Sequence, residues 1–125
     1  MSAPSRGGEL GLHDEVRSDR HRLILSGELD LASSPSLQGA VEQLCAGGAA
    51  EVVLDLRGLL FIDSTGVRTI LHAVDLCRRR GCEIALIRGS ATTQRLFELT
   101  GLEQKLPFRA ATHSEEGSGS SAAQA

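Results

Sequence analysis

The sequence contains very few aromatic residues and very few cysteines. Its 125 residues include three phenylalanines and neither tryptophan nor tyrosine. This composition predicts an aliphatic core and argues against the aromatic platforms on which bases or sugars stack. The three cysteines are Cys45, Cys77 and Cys82, and no two of them form a CxxC pair. We therefore expect buried thiols in a reducing compartment, with neither a disulfide framework nor a zinc site.

A long hydrophobic run and an excess of basic residues are also missing. No apolar stretch approaches the roughly twenty residues of a membrane-spanning helix, and no apolar segment near the N-terminus is typical of a secretion signal. The formal net charge is −3, whereas a nucleic-acid-binding domain would require a basic face. These features predict a cytoplasmic protein that binds neither membrane nor nucleic acid directly.

Sequence signatures of catalysis are absent too. No GxGxxG segment follows a strand and no GxxxxGK[ST] segment occurs, which argues against a dinucleotide or P-loop site. The residue two positions before Ser64 is Ile62, whereas the nucleophile elbow of a hydrolase requires glycine there. We therefore expect no cofactor, no catalytic residue and no enzymatic activity, and a small α/β hydrolase remains the weakest alternative. The histidines show no metal-ligand spacing; they are His13, His21, His72 and His113.

The two ends of the chain differ in composition from the segment between them. Residues 1–9 and 112–125 are rich in small and polar residues. Such segments bury too little apolar surface to offset the entropy lost on ordering, so we predict disordered tails. Residues 10–111 have the length of one domain with a single core.

Strand signals recur along residues 10–111. Short aliphatic runs bounded by glycine or charged residues predict the strands, which are 10–16, 22–27, 51–56, 82–87 and 106–108. We expect the first two strands to pair through a turn at 17–20. Arg57 and Gly58 are expected to interrupt the third strand after Leu56.

Three helices are predicted between these strands. The first begins at Pro35, with Ser34 as its N-cap, and ends before Gly47. The others span 64–79 and 91–100. This alternation predicts an α/β domain with a mostly parallel central sheet of four to five strands and three or more helices. In such sheets, functional residues gather beyond the carboxyl ends of the strands.

The most informative segment lies where an apolar run leads into the second predicted helix. Asp63, Ser64 and Thr65 occupy the helix N-terminus, where unsatisfied amides and the helix dipole favour negative charge. A phosphoryl group on Ser64 would be well placed and would make the local surface anionic. The same residue types are also ordinary helix caps. Asp30 and Asp63 could form a general acid/base pair or could simply be polar loop residues.

Four segments occur along the chain in a recognisable order and spacing. They are Gly27-Glu28-Leu29-Asp30, Val53-Leu54-Asp55-Leu56, Phe61-Ile62-Asp63-Ser64-Thr65-Gly66, and Arg95-Leu96-Phe97 with Gly101-Leu102. Together they resemble the STAS domain, and above all the stand-alone anti-sigma factor antagonists of bacteria. The resemblance covers about residues 10–109.

The resemblance implies a function in partner switching. An unphosphorylated antagonist binds an anti-sigma factor, itself a serine kinase, and so frees a sigma factor. Phosphorylation at the position of Ser64 ends binding, and a serine phosphatase restores it; Thr65 is the alternative acceptor. We expect a monomer or weak dimer. The alternative function is a STAS subunit of a stress-signalling complex or of a lipid-transport assembly. The implied partner-binding residues are Asp30, Asp63, Ser64, Thr65, Gly66 and Arg68.

Overall fold

In the computed structural model, which describes residues 9–119, a β-hairpin is followed by alternating helices and strands. The strands form one five-stranded sheet in the order β1-β2-β3-β4-β5. The hairpin is antiparallel and the other three pairings are parallel, so the predicted mostly parallel α/β sheet is confirmed. The elements are β1 (Leu10–Arg17), β2 (Arg20–Leu29), α1 (Ser34–Ala46), β3 (Glu51–Ile62), α2 (Ser64–Arg79), β4 (Glu83–Ile87), α3 (Ala91–Leu99), β5 (Phe108–Arg109) and α4 (His113–Gly119).

Helices α1, α2 and α3 cover one face of the sheet. Each connects two neighbouring parallel strands in the same direction, and right-handed crossovers then place all three helices on the same side. Successive helices contact each other. The core beneath them is aliphatic, as the composition predicts, with Phe97 as its one fully buried aromatic residue among those described. The largest fully buried side chains also include Leu25, Leu29, Leu37, Leu54, Leu56, Leu59, Ile70 and Leu86.

The end of α2 shows how local sequence sets the helix boundaries. Arg80 caps the helix and Gly81 follows with a φ of 76°, a conformation that favours glycine. The amide of Cys82 donates to the carbonyl of Cys77 at 2.8 Å, and that of Gly81 donates to Arg78 at 3.2 Å. These two bonds form a Schellman motif. The predicted boundaries of α2, 64–79, are confirmed.

Strand β3 is longer than the sequence predicts. Arg57 and Gly58 do not end it; they form an irregularity within a strand that continues to Ile62. Asp55 pairs with Ile24 of β2, whereas Gly58 pairs with Ser26, so the register shifts by one residue in the manner of a β-bulge. A Cβ on Gly58 would lie 2.7 Å from the carbonyl oxygen of Leu25. Glycine is therefore required for β3 to pass β2 and reach the predicted site.

Residues 113–119 form α4, which corrects the prediction that all of residues 112–125 are disordered. The sequence Thr112 to Glu115 forms a capping box: the Thr112 amide donates to the Glu115 carboxylate at 2.8 Å, and the Glu115 amide donates to Thr112 Oγ1 at 3.3 Å. Glu115 also accepts two hydrogen bonds from Arg109, at 2.8 and 2.9 Å. Composition alone missed these specific contacts. The predicted tails at 1–8 and 120–125 lie outside the described residues.

An ionic network lies on the sheet face opposite α1, α2 and α3. Asp55 is only 2% exposed and accepts hydrogen bonds from Arg22 at 3.0 Å and from the Arg57 side chain at 2.9 and 2.7 Å. Burial alone would raise the pKa of Asp55, but these bonds and the Arg57 charge hold it below its usual value. Arg22 also pairs with Glu15, and Arg57 donates to the Glu115 carbonyl at 3.2 Å. The network therefore joins β1, β2, β3 and α4.

Both boundaries of β5, the edge strand farthest from β1, also differ from prediction. Strand β5 comprises Phe108–Arg109 rather than 106–108, and the ring of Phe108 meets that of Phe97 edge to face at 5.0 Å.

No helix among residues 9–119 combines the length and apolar character needed to cross a membrane.

Candidate functional site

Two neighbouring strands end together at the candidate site. Leu29 of β2 pairs with Ile62 of β3, and the amide of Asp63 donates to the carbonyl of Leu29 at 3.2 Å. Asp30 and Asp63 therefore leave the sheet side by side, at the carboxyl ends of adjacent parallel strands. This is the edge at which the sequence predicts function.

Gly66 allows α2 to start directly against the end of β2. A Cβ at this position would lie 2.5 Å from the carbonyl oxygen of Leu29 and 2.8 Å from the Ile62 side chain. Gly66 is buried, so it positions the helix start and does not itself present surface to a partner. The resemblance implied Gly66 as a partner-binding residue without this distinction.

The first turn of α2 orients Asp63, Ser64 and Thr65 differently. Asp63 is the N-cap, and its carboxylate accepts a hydrogen bond from the Gly66 amide at 2.9 Å. Ser64 is exposed at the first helical position, whereas Thr65 is partly buried. The amides of this turn have no acceptor within the helix, and Asp63 satisfies one of them. The Ser64 hydroxyl is thus the more accessible of the two at an electropositive helix start.

Asp30 is held in a hydrogen-bonded turn. Its carboxylate accepts from the amide of Ser33 at 3.1 Å, and its own amide donates to Ser33 Oγ at 2.9 Å. Asp30 is half-buried, so it lies in an ordered turn rather than in a freely exposed loop. The turn also makes Ser33, rather than the predicted Ser34, the N-cap of α1, because the amide of Ser34 already donates to the Asp30 carbonyl at 2.9 Å.

Three large apolar side chains lie within three residues of Asp30 or Asp63 in the sequence and are exposed. Leu31 is 72% exposed, Leu60 is 79% exposed and Phe61 is 48% exposed. The sequence predictions did not include these three residues, because large apolar side chains are most often buried. Exposed apolar side chains next to polar site residues are typical of a protein-binding surface.

Arg68 lies four residues after Ser64 on the exposed side of α2, and side chains at this spacing are neighbours on a helix surface. We call the whole arrangement the Ser64 surface. It consists of Asp30, Leu31, Leu60, Phe61, Asp63, Ser64, Thr65 and Arg68.

The cysteine thiols are poor candidates for nucleophilic chemistry. Burial raises the pKa of the Cys77 thiol, and its hydrogen bond with Cys45 raises it further. Burial also raises the pKa of Cys82. Reactive cysteines require the opposite shift, toward the thiolate.

The fold and the site together identify the protein family. The STAS domain pattern matches residues 15–115, which include every element from the second half of β1 to the start of α4. The chain belongs to the STAS domain family.

Within that family, the chain is similar in sequence to anti-sigma factor antagonists of bacteria. The anti-sigma F factor antagonist of Paenibacillus polymyxa is 30% identical over 99 residues, covering 75% of this chain and 85% of the relative. This places the chain among the STAS-domain anti-sigma factor antagonists, a group of regulatory binding proteins.

Solved structures of antagonists share the fold. An anti-sigma factor antagonist from Mycobacterium paratuberculosis superposes with a TM-score of 0.75 at 22% identity, covering 95% of this chain and 97% of that one. SpoIIAA in its unphosphorylated form gives a TM-score of 0.71 at 20% identity, covering 92% and 98%. The phosphorylated form of the Bacillus protein gives 0.67 at 22% identity, covering 87% and 98%.

Proposed function

We propose that the unphosphorylated protein binds an anti-sigma factor serine kinase through the Ser64 surface and thereby frees a sigma factor. Phosphorylation of Ser64 ends this binding, and a serine phosphatase restores it. The observation that carries the proposal is an exposed hydroxyl at the first position of α2, directly after the N-cap residue Asp63. We further expect the protein to act in the cytoplasm as a monomer or weak dimer.

The chemistry belongs to the partners. The kinase transfers the terminal phosphoryl group of ATP to Ser64 Oγ, forming an O–P bond and releasing ADP and the hydroxyl proton. A phosphatase cleaves that bond with water and releases inorganic phosphate. The protein contributes an accessible hydroxyl at a helix start that favours the added negative charge.

Phosphorylation would change the docking surface electrostatically. A phosphate adds a charge of about −1.5 to −2 next to Asp63 and close to the turn of Asp30. The modified surface stays stable in the free protein, because helix amides and the nearby cation of Arg68 can face the phosphate. In a complex, the phosphate would have to lose its bound water next to the carboxylates of Asp63 and Asp30. This desolvation raises the free energy of the complex. Binding should therefore weaken without unfolding.

Exposure supports Ser64 over Thr65. Ser64 is exposed and Thr65 is partly buried, so a kinase active site can approach only Ser64 without rearranging the helix start. SpoIIAA, which shares the fold, has been solved in both a phosphorylated and an unphosphorylated form, which supports a phosphorylation switch without distinguishing the two hydroxyls.

The test is phosphorylation by the anti-sigma factor kinase of the same organism. Incubation with ATP should add one phosphate to the intact protein, and peptide mapping should place it on Ser64. Ser64→Ala should abolish the modification, whereas the matched variant Thr65→Val should keep it. A phosphate on Thr65 with Ser64 unmodified would overturn the assignment.

A further inference from the structure

The fold brings all three cysteines of the chain together. Cys45 lies near the end of α1, Cys77 lies near the end of α2, and Cys82 immediately precedes β4. Their sulfur atoms all lie within 4.8 Å of one another, and the Cys45 and Cys77 sulfurs are 3.6 Å apart. The three side chains are 8%, 0% and 5% exposed, respectively. Because the chain contains no other cysteine, this cluster holds its entire thiol content.

The end of α2 explains how two of the sulfurs meet. In the Schellman motif described above, Cys77 and Cys82 occupy the two positions whose side chains normally make an apolar contact. Here both of those positions carry thiols. Helix α1 packs against α2 and adds Cys45 from a position 32 residues earlier in the chain. The cluster is thus formed by a helix-capping motif and one helix–helix contact.

The sulfur spacing matches that of a three-coordinate thiolate site. With a metal–sulfur bond of about 2.3 Å, as in zinc thiolates, a metal at the centre of a triangle needs sulfurs about 4.0 Å apart. The observed separations, from 3.6 Å for one pair to less than 4.8 Å for the others, lie around that value.

The number and type of the ligand atoms also indicate which metal ion the cluster would bind. Among the described residues, no histidine or carboxylate joins the three sulfurs, so a tetrahedral zinc site would lack its fourth protein ligand. Thiolates are soft ligands that favour Cu(I), an ion that accepts three-coordinate sulfur. We propose that Cys45, Cys77 and Cys82 form a binding site for a single Cu(I) ion.

The step is coordination without electron transfer. Sulfur–copper bonds form as the ion displaces thiol protons, which pass to the solvent. Cys82 lines a shallow surface cleft together with Arg78, Gly81 and Glu83, which provides an entry path. The bound ion would tie the ends of α1 and α2 to the start of β4.

The copper site is separate from the Ser64 surface. Ser64 begins α2 and Cys77 lies 13 residues further along it, which corresponds to about 20 Å of helix. The inference therefore does not depend on the proposed partner-switching function. Ser64→Ala should leave copper binding unchanged, and this variant distinguishes failure of one proposal from failure of the other.

The test uses the full-length, fully reduced protein under anaerobic conditions. Titration of Cu(I) in competition with a chromogenic Cu(I) chelator should show one ion per chain. X-ray absorption at the copper edge should show three sulfur neighbours at about 2.3 Å, and the melting temperature should rise with bound copper. The absorption measurement needs no variant, so a folding defect cannot obscure it. Two sulfur neighbours, or none, would overturn the proposal.

Substitution of individual cysteines tests which thiols bind the copper ion. Cys77→Ala and Cys82→Ala should each lower the Cu(I) affinity at least tenfold and reduce the sulfur count to two. Val74→Ala is the matched control, because Val74 is buried on the same helix but offers no ligand, and it should keep full affinity. Unchanged affinity in Cys77→Ala, or tighter binding of Zn(II) than of Cu(I) by the wild-type protein, would contradict the assignment.

Discussion

At the scale of single residues, Ser64 and Asp55 differ in burial. Ser64 is exposed, whereas Asp55 is almost fully buried between two arginines. A charge added at Ser64 should therefore affect partner binding, whereas removal of the Asp55 charge should affect stability.

Charge at position 64 should control binding without controlling folding. A carboxylate at a helix N-terminus changes stability by only about 0.3 to 1 kcal/mol, in the favourable direction, so Ser64→Asp and Ser64→Ala should both fold. The Asp variant should bind the anti-sigma factor more weakly, because it places a charge beside Asp63 in the interface. Calorimetric titration with the same partner measures the difference, and thermal melts control for folding. Equal affinities would show that charge at this position does not govern the complex.

Removal of the Asp55 carboxylate should lower the free energy of unfolding far more than removal of an exposed carboxylate. Asp55→Ala leaves Arg22 and Arg57 without their shared buried partner, and breaking such a group lowers the free energy of unfolding by about 3 kcal/mol or more. Asp75→Ala is the control, because its pair with Arg79 is about two-thirds exposed and is worth about 0.5 kcal/mol or less. Urea denaturation of both variants measures this contrast, and similar losses would contradict it.

The turn of Asp30 should serve recognition more than folding. In Asp30→Asn the side-chain oxygen can still accept from the Ser33 amide, so the melting temperature should change little. Loss of the negative charge should nevertheless weaken binding or phosphorylation by the kinase. Thermal melts and phosphorylation rates test the two parts separately. Full phosphorylation with unaltered affinity would remove Asp30 from the site.

At the scale of elements, the contact between the start of α2 and the end of β2 positions the site. It depends on Gly66, where a Cβ would lie 2.5 Å from the carbonyl oxygen of Leu29. The other elements around the site, the extended end of β3 and the Asp30 turn, converge on this junction.

Adding one methyl group at this junction should displace the helix start. Gly66→Ala places a Cβ in contact with backbone that cannot rotate away, so a loss of about 1–3 kcal/mol in unfolding free energy is expected. Gly39→Ala, inside α1 with no atom within 4 Å of the new Cβ, should instead stabilise by about 0.5–1 kcal/mol. Denaturant titration of both variants gives the signs. A stabilised Gly66→Ala would mean that the junction is looser than described.

At the scale of the whole molecule, the Glu115 carboxylate at the start of α4 holds this helix to β5 through Arg109. Hydrogen bonds from Arg109, together with those from Thr112, lower the pKa of Glu115 to about 2 despite its partial burial. A lowered folded-state pKa adds stability that is fully present above the unfolded value of 4.5 and is lost as the pH falls toward 2.

This linkage predicts an acid-dependent difference between variants. Glu115→Gln should be less stable than the wild type at pH 7, and the difference should shrink as the pH falls from about 5 to 2. Glu98→Gln, which removes the same charge from an exposed position on α3, should show little difference at any pH. Thermal melts across this range test the prediction, and a constant gap for Glu115→Gln would contradict it.

Local signals in the sequence were sufficient for much of this protein. Apolar periodicity, caps and glycines act over three or four residues, so the strand and helix order, the bounds of α2 and the placement of Ser64 at its start followed from the chain alone. The capping box from Thr112 to Glu115 is an equally local signal, but composition outweighed it and α4 was missed.

Only the tertiary structure decided which distant residues meet. The continuation of β3 through Arg57 and Gly58 depends on pairing with β2, because a bulge is defined by its partner strand. Exposure of Leu60 and Phe61 depends on what the sheet leaves uncovered at its edge. The three cysteines meet because α1 packs on α2, a contact between residues 32 positions apart. Such contacts arise from packing and burial, which residue spacing along the chain does not encode.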